Sequence, residues 1–237
     1  MKATSNAYVR RARLEPALIV ALPLGLATLA WSPGGVFGWG LVWSLFVFCG
    51  GTALAAQVAR DSGKRKEPVL FQMWGGKPTT RLLRHRDAPN KIVLLRRHQK
   101  LQSLMSGIQI PTEKQEEINP RAADEVYDAC SAYLLEKTRD KTHFDLVFEE
   151  NCNYGFRRNL WGMKYLGITT SAIGVVAIAL LFILNYQARA ASPPIAAVCG
   201  AINLALMLGW LFWFTPRWVR VAADAYAERL LAACENL

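Results

Sequence analysis

Hydrophobic positions gather in two long blocks, Pro16 to Ala59 and Tyr165 to Thr215, and the chain between them mixes apolar and polar residues with a helical period. Each block is broken once by a short turn, Ser32-Pro33-Gly34-Gly35 in the first and Gln187 to Pro194 in the second. The pattern therefore predicts four membrane helices: Leu14–Trp31, Val36–Ala59, Tyr165–Tyr186 and Ile195–Thr215. At about 1.5 Å per residue, each approaches or exceeds the roughly 30 Å of a hydrocarbon core. Pro23 is a kink of the kind a bilayer helix tolerates. Trp31, Trp39, Trp43, Trp210, Trp213 and Trp218 read as interfacial anchors, and Gly38, Gly40, Gly50 and Gly51 as close-packing positions. The basic start, Met1 to Arg13, precedes an apolar run too long for a signal peptide and without a small-residue cleavage site.

The expected fold is an all-α membrane protein, with two transmembrane hairpins flanking a mostly helical cytoplasmic domain. The divisions are 1–13, a cytoplasmic segment; 14–59, hairpin 1; 60–164, the domain; 165–215, hairpin 2; and 216–237, an amphipathic tail along the membrane or against the domain. Within the domain, Pro68 opens a short helix that Gly75 stops, and Pro78 opens another. Asn90 caps a helix to about Met105, and Thr112 to Gln115 fits a capping box. Asn119-Pro120 starts an amphipathic helix with Ala123, Val126, Tyr127, Cys130, Tyr133 and Leu134 on one face, ending near Thr138. Phe144 to Phe148 fits either strand or helix.

Charge adds an orientation. The 237 residues are 52% apolar and 19% charged, with a net charge of +10. Cations flank the runs at Arg13, Arg60 to Lys66, Arg157 to Lys164 and Arg217 to Arg220, while the two hairpin turns hold only Arg189. The positive-inside rule then puts both termini and the domain in the cytoplasm of a bacterial inner membrane. Within the domain, residues 60–100 carry twelve basic and three acidic side chains, and residues 101–150 five basic and eleven acidic. The two halves complement each other or face anionic lipid. No nucleic-acid reader motif is present, so specific nucleic-acid binding is not expected. The five cysteines have no metal or disulfide-framework spacing and are expected to be reduced.

Two stretches carry candidate chemistry. The run from Trp74 to Arg86 holds two glycines, two hydroxyls and a group of cations. Lys77, Thr79, Thr80, Arg81, Arg84, His85 and Arg86 could converge on the phosphate of a nucleotide or other anionic ligand. Equally, Gly75-Gly76 is a turn and the cations sit at lipid headgroups; the spacing is not that of a Walker loop. The second stretch contains Glu149, Glu150, Asn153, Tyr154, Arg157 and Arg158. It reads as a coupling joint, or as ion-paired anchoring before the third membrane helix. No metal or cofactor set is expected, and no nucleophile elbow or HExxH signature occurs. Asn203 reads as interhelical glue, and the absence of ionisable groups deep in the runs argues against an ion-coupled transporter.

The segments from Ala59 to Asp87 and from Phe148 to Lys164 resemble those of bacterial membrane proteins of unknown function. The plan is loosely similar to four-transmembrane effectors of nucleotide-signalled defence systems, and that resemblance implies a sensing domain and helices that breach the membrane. The expectation is therefore a homo-oligomeric membrane protein whose domain senses a phosphate-bearing ligand or partner and signals to the helices, with permeability as an output. The alternative is a scaffold docking a cytoplasmic protein partner on the acidic face Glu113 to Glu117 and Asp124 to Asp128. An enzyme acting on lipid or nucleotide comes third.

Overall fold

The computed structural model describes residues 7–31 and 50–237, and every regular element among them is helical. In chain order the helices are α1 (Ala7–Trp31), α2 (Gly51–Trp74), α3 (Pro78–Arg81), α4 (Lys91–Leu104) and α5 (Glu113–Ile118). They continue with α6 (Pro120–Lys137), α7 (Asp145–Gly162), α8 (Lys164–Gln187), α9 (Pro194–Trp213) and α10 (Pro216–Ala232). Helices α1, α8 and α9 are long and apolar enough to cross a membrane. Most of the expected second span lies outside the described residues, including Gly38, Gly40, Trp39 and Trp43. Its end departs from expectation, because Gly50 is a turn residue at φ 75° and the helix begins at Gly51.

That helix does not stop at Ala59, nor does a new one open at Pro68. α2 runs for 24 residues with Pro68 in its interior. Pro68 deprives the Lys64 carbonyl of its helical donor, an interior cost of about 3 kcal/mol. Burial of Leu70 and Trp74 on the following turns offsets it. The ambiguous Phe144–Phe148 is helical: Asp145 to Phe148 is the first turn of α7.

The chain forms two compact units, Met1–Lys66 with Gly155–Val219, and Glu67–Tyr154 with Arg220–Leu237. In the first, α1, α8 and α9 pack on one another. Small residues dominate their contacts, with Ala27, Ala30, Ala196 and Cys199 against Ile178 and Leu181. Near its start α1 widens into a π-turn over Arg10–Leu14, which loosens the backbone ladder. The buried Asn159 donates its Nδ2–H to the Ala12 carbonyl at 2.7 Å. Next to it the backbones of α2 and α7 touch: a Cβ on Gly162 would stand 2.6 Å from the Gly63 nitrogen. Deeper in the bundle, Asn203 donates to the Pro23 carbonyl at 3.2 Å, tying α9 to α1.

The second unit is a helical cluster around Leu83, Leu101, Tyr127, Cys130 and Leu134. Leu230, Leu231 and Cys234 complete it, so the end of the tail packs within the second unit. The caps are those the sequence encodes. Asn90 Oδ1 accepts from the Ile92 and Val93 amides, Thr112 and Gln115 form a reciprocal capping box, and Asn119 caps α6. These caps fix where α4, α5 and α6 begin, and hence where their charged faces lie.

Candidate functional site

The run from Gly75 to Asp87 lies across the face of α5 and α6, within the second unit. Gly75 and Gly76 end α2 with φ of 78° and 133°, and the Gly76 amide donates back to the Phe71 carbonyl at 2.8 Å. Gly76 also makes room: a Cβ there would stand 2.6 Å from Arg84 Nη2. The second glycine therefore admits a guanidinium from the same chain, and α3 then returns the chain toward α6.

Every cation of the run meets a carboxylate. Arg84 is 7% exposed and forms a bidentate pair with Asp124, Nε to Oδ1 at 2.8 Å and Nη2 to Oδ2 at 2.7 Å. Its Nη1 donates to the Gly75 carbonyl and to Asp87. Burial opposes the charge on Arg84, but the bonds to Asp124 and Asp87 prevail and raise its pKa above the ordinary value. Arg86 bridges Glu116 at 2.8 Å and Asp124 at 3.1 Å. Arg81 reaches Asp87 at 3.7 Å. The Lys77 ammonium and the Thr80 hydroxyl both donate to Asp128. Thr79 is half-buried and outside these contacts.

Glu116 is the buried centre of the network, at 2% exposure. Its Oε2 accepts from the His85 amide at 2.7 Å and the Tyr127 hydroxyl at 2.8 Å. Its Oε1 accepts from Arg86 Nη1 at 2.8 Å and the Arg86 amide at 3.3 Å. Burial alone would raise this carboxyl; the His85 amide, the Tyr127 hydroxyl and Arg86 outweigh it and hold it below the usual carboxylate range. Burial, then the bond to Glu116, pushes the Tyr127 phenol up. His85 Nε2 lies 3.1 Å from the Pro111 carbonyl, and His98 Nε2 lies 2.8 Å from the Leu83 carbonyl. His98 is buried, stacked on Tyr127 and edge-on to His85. Burial, chiefly, pulls its pKa down.

The structure thus sets Lys77, Thr80, Arg81, Arg84, Arg86 and the His85 amide on carboxylates of the same chain. Those partners, Glu116, Asp124 and Asp128, with Tyr127 and His98 behind them, are what sequence reasoning did not name as part of the site. The signal was present in the opposite charges of residues 60–100 and 101–150. The acidic face considered for docking a partner is largely the same surface, already engaged.

The coupling stretch lies within one helix, α7, and the unit boundary falls between Tyr154 and Gly155. In the second unit, Glu150 accepts from Asn153 at 3.4 Å, Tyr154 donates to Glu67 at 2.8 Å, and the Tyr154 ring stacks on Tyr226. In the first, Arg157 donates to the Trp218 carbonyl at 2.9 Å and lies over its ring, while the buried Arg158 donates to Asn159. Glu149 lies exposed on the same helix. Among the described residues no cluster of three or more His, Cys, Asp or Glu side chains could hold a metal ion. No family model, no curated protein and no solved structure matches this chain.

Proposed function

We propose that this is a multi-pass protein of the bacterial inner membrane whose second unit, on the cytoplasmic side, senses a phosphate-bearing ligand or partner. Glu149 to Arg158 would carry that event along α7 to the membrane helices and change their permeability. The observation that supports the reading is the convergence of the Lys77 ammonium and the Thr80 hydroxyl on one carboxylate, that of Asp128. An ammonium and a hydroxyl aimed at one anion would serve a phosphate oxygen equally well. In this reading Asp128 is a resident stand-in that a ligand displaces. The Lys77 and Asp128 side chains are 48% and 37% exposed, while Thr80 is buried at 3%, so a ligand reaches the Thr80 hydroxyl only as Asp128 moves aside. The four cations and four carboxylates of the network balance, so attraction is local to Lys77 and Thr80. Arg84, Arg86 and Glu116 remain paired and hold the platform.

The test is titration of inorganic pyrophosphate into the detergent-solubilised full chain by calorimetry. An exposed ion pair is worth at most about 1 kcal/mol. Asp128→Asn should therefore tighten binding by about three- to five-fold, and Lys77→Gln should abolish it. Dye entry into cells expressing Asp128→Asn should follow the same order. Equal, weak binding by all three chains would end the reading.

Docking of a cytoplasmic partner is the second reading, favoured by one observation. Ile92 and Ile118 are 79% and 84% exposed on the second unit. Ile118 lines a cleft of about 340 Å³, Lys91, next to Ile92 in the chain, lines another of about 360 Å³, and Pro111 lines both. A discrete crosslinked adduct formed at Ile118 in cells, lost in Ile92→Lys/Ile118→Lys and unaccompanied by dye entry, would favour it.

A further inference from the structure

Cations in the first unit are arranged differently from those in the second. Excluding Arg189, the described residues of this unit hold eleven lysines and arginines against Glu15 and Asp61. The packing gathers them at one end of the three membrane-length helices. Asn159 binds Ala12, beside Arg11 and Arg13; Gly162 touches Gly63, within the stretch Arg60 to Lys66; and Lys164 Nζ donates to the Leu211 and Phe214 carbonyls at 3.2 and 3.3 Å. The other end of these helices carries Arg189 alone among the described residues.

Several of these cations rest on neutral groups. Arg13 lies over the Tyr8 ring, Lys66 over Trp161 and Tyr165, Arg157 over Trp218, and Lys164 on backbone carbonyls. Such contacts orient a cation and leave its charge in place. Arg10 approaches Glu15 only to 3.9 Å, with both side chains largely exposed. Arg60, Arg65 and Arg217 are exposed and make no ion pair among the described residues. In the second unit the same chain sets four carboxylates against four cations; here Arg60, Arg65 and Arg217 have no carboxylate of the described residues set against them. At this level Tyr165 and Trp213 are also exposed, at 75% and 68%, the residue types that sit among headgroups.

We infer that this end of the first unit is a binding surface for anionic phospholipid headgroups, with Arg60, Arg65 and Arg217 as phosphate ligands and Tyr165 and Trp213 as the aromatic level beside them. The lipid phosphates supply counter-charge to these three arginines. The surface is independent of Lys77 and Asp128, so it stands or falls apart from the sensing reading.

The test uses the full chain in detergent micelles, with phosphatidylglycerol or phosphatidylcholine added and binding read by native mass spectrometry. Each cation near an anionic surface is worth about five-fold in affinity. The wild-type chain should prefer phosphatidylglycerol, and Arg60→Gln/Arg65→Gln/Arg217→Gln should lower that preference by about one hundred-fold. The triple Arg→Lys chain should keep it, and half-molar salt should erase it in the wild type. Inorganic phosphate should not compete at millimolar concentration, which separates a lipid surface from a free-phosphate site. Equal binding of both lipids by the wild type, or a triple Gln chain that folds and keeps the preference, overturns the inference. If the triple Gln chain fails to fold, the salt titration decides, and a preference that survives half-molar salt overturns it as well.

Discussion

Glu116→Gln is a near-isosteric change at the most constrained carboxylate in the second unit, and its cost can be worked from the geometry. Glu116 offers two oxygens to four donors. A glutamine supplies one oxygen and one NH2, so one pair of donors must face a donor. If the amide oxygen stays with Arg86, the NH2 faces the His85 amide and the Tyr127 hydroxyl. The hydroxyl can rotate to accept; the His85 amide cannot. One buried N–H then loses its acceptor, at about 1–3 kcal/mol. Arg86 keeps Asp124, and its half-exposed side chain adds no more than about 1 kcal/mol. The expected loss is roughly 1–4 kcal/mol, confined at first to the turn at His85 and Arg86. Hydrogen exchange followed by mass spectrometry on peptides spanning Leu83 to Asn90 reads this directly. Protection of the His85 amide should fall by about 5- to 1,000-fold, since 1.4 kcal/mol is a factor of ten. A change below about three-fold would refute the claim that Glu116 organises the turn.

Two further outcomes follow from the packing and one buried imidazole. His98 has a lowered pKa in the fold, so it contributes stability above the unfolded value near 6.5 that is lost as pH falls toward its folded value. The melting temperature of the second unit should therefore fall between pH 7 and 5. The facing groups are His85, Tyr127 and Glu116, and His98→Gln should flatten that part of the profile; an unchanged profile would count against the assignment. In the first unit, Gly162→Ala places a methyl against the Gly63 backbone and should cost about 1–3 kcal/mol, read as a lower melting temperature. Gly25→Ala meets no atom within 4 Å and is the matched control, expected to be neutral or mildly stabilising.

What could be read from the sequence was local. Asn90, Thr112 and Asn119 carry their caps within three residues, and the spans at α1, α8 and α9 follow from unbroken apolar runs, so each announces itself without reference to the rest of the chain. The site was half legible for the same reason. The cations from Lys77 to Arg86 lie in one short run with Asp87, but Glu116, Asp124 and Asp128 come about 30 to 50 residues later, and only the fold says that Asp124 faces Arg84 rather than solvent. Pro68 was misjudged because propensity opposes a helix there, and the compensating burial of Leu70 and Trp74 is tertiary. The π-turn at Arg10–Leu14 has no sequence signal of its own; it is visible only through Asn159, which comes 147 residues after Ala12.

The interleaving of the two units sets an order of events during synthesis. The first unit needs residues up to Val219 to bring α8 and α9 against α1, and the second needs Leu230, Leu231 and Cys234 to cover Leu83 and Leu101. Neither unit can close while its later half is still being made. Leu83, Leu101 and Tyr127 therefore emerge from the ribosome with part of their apolar surface uncovered, and wait roughly 100 to 150 residues, or about 5–30 seconds of elongation, for their partners. A nascent chain of this design depends on chaperones or on the membrane to hold it during that interval. A ribosome that stops short of the α10 segment leaves Leu83 and Leu101 without that part of their cover.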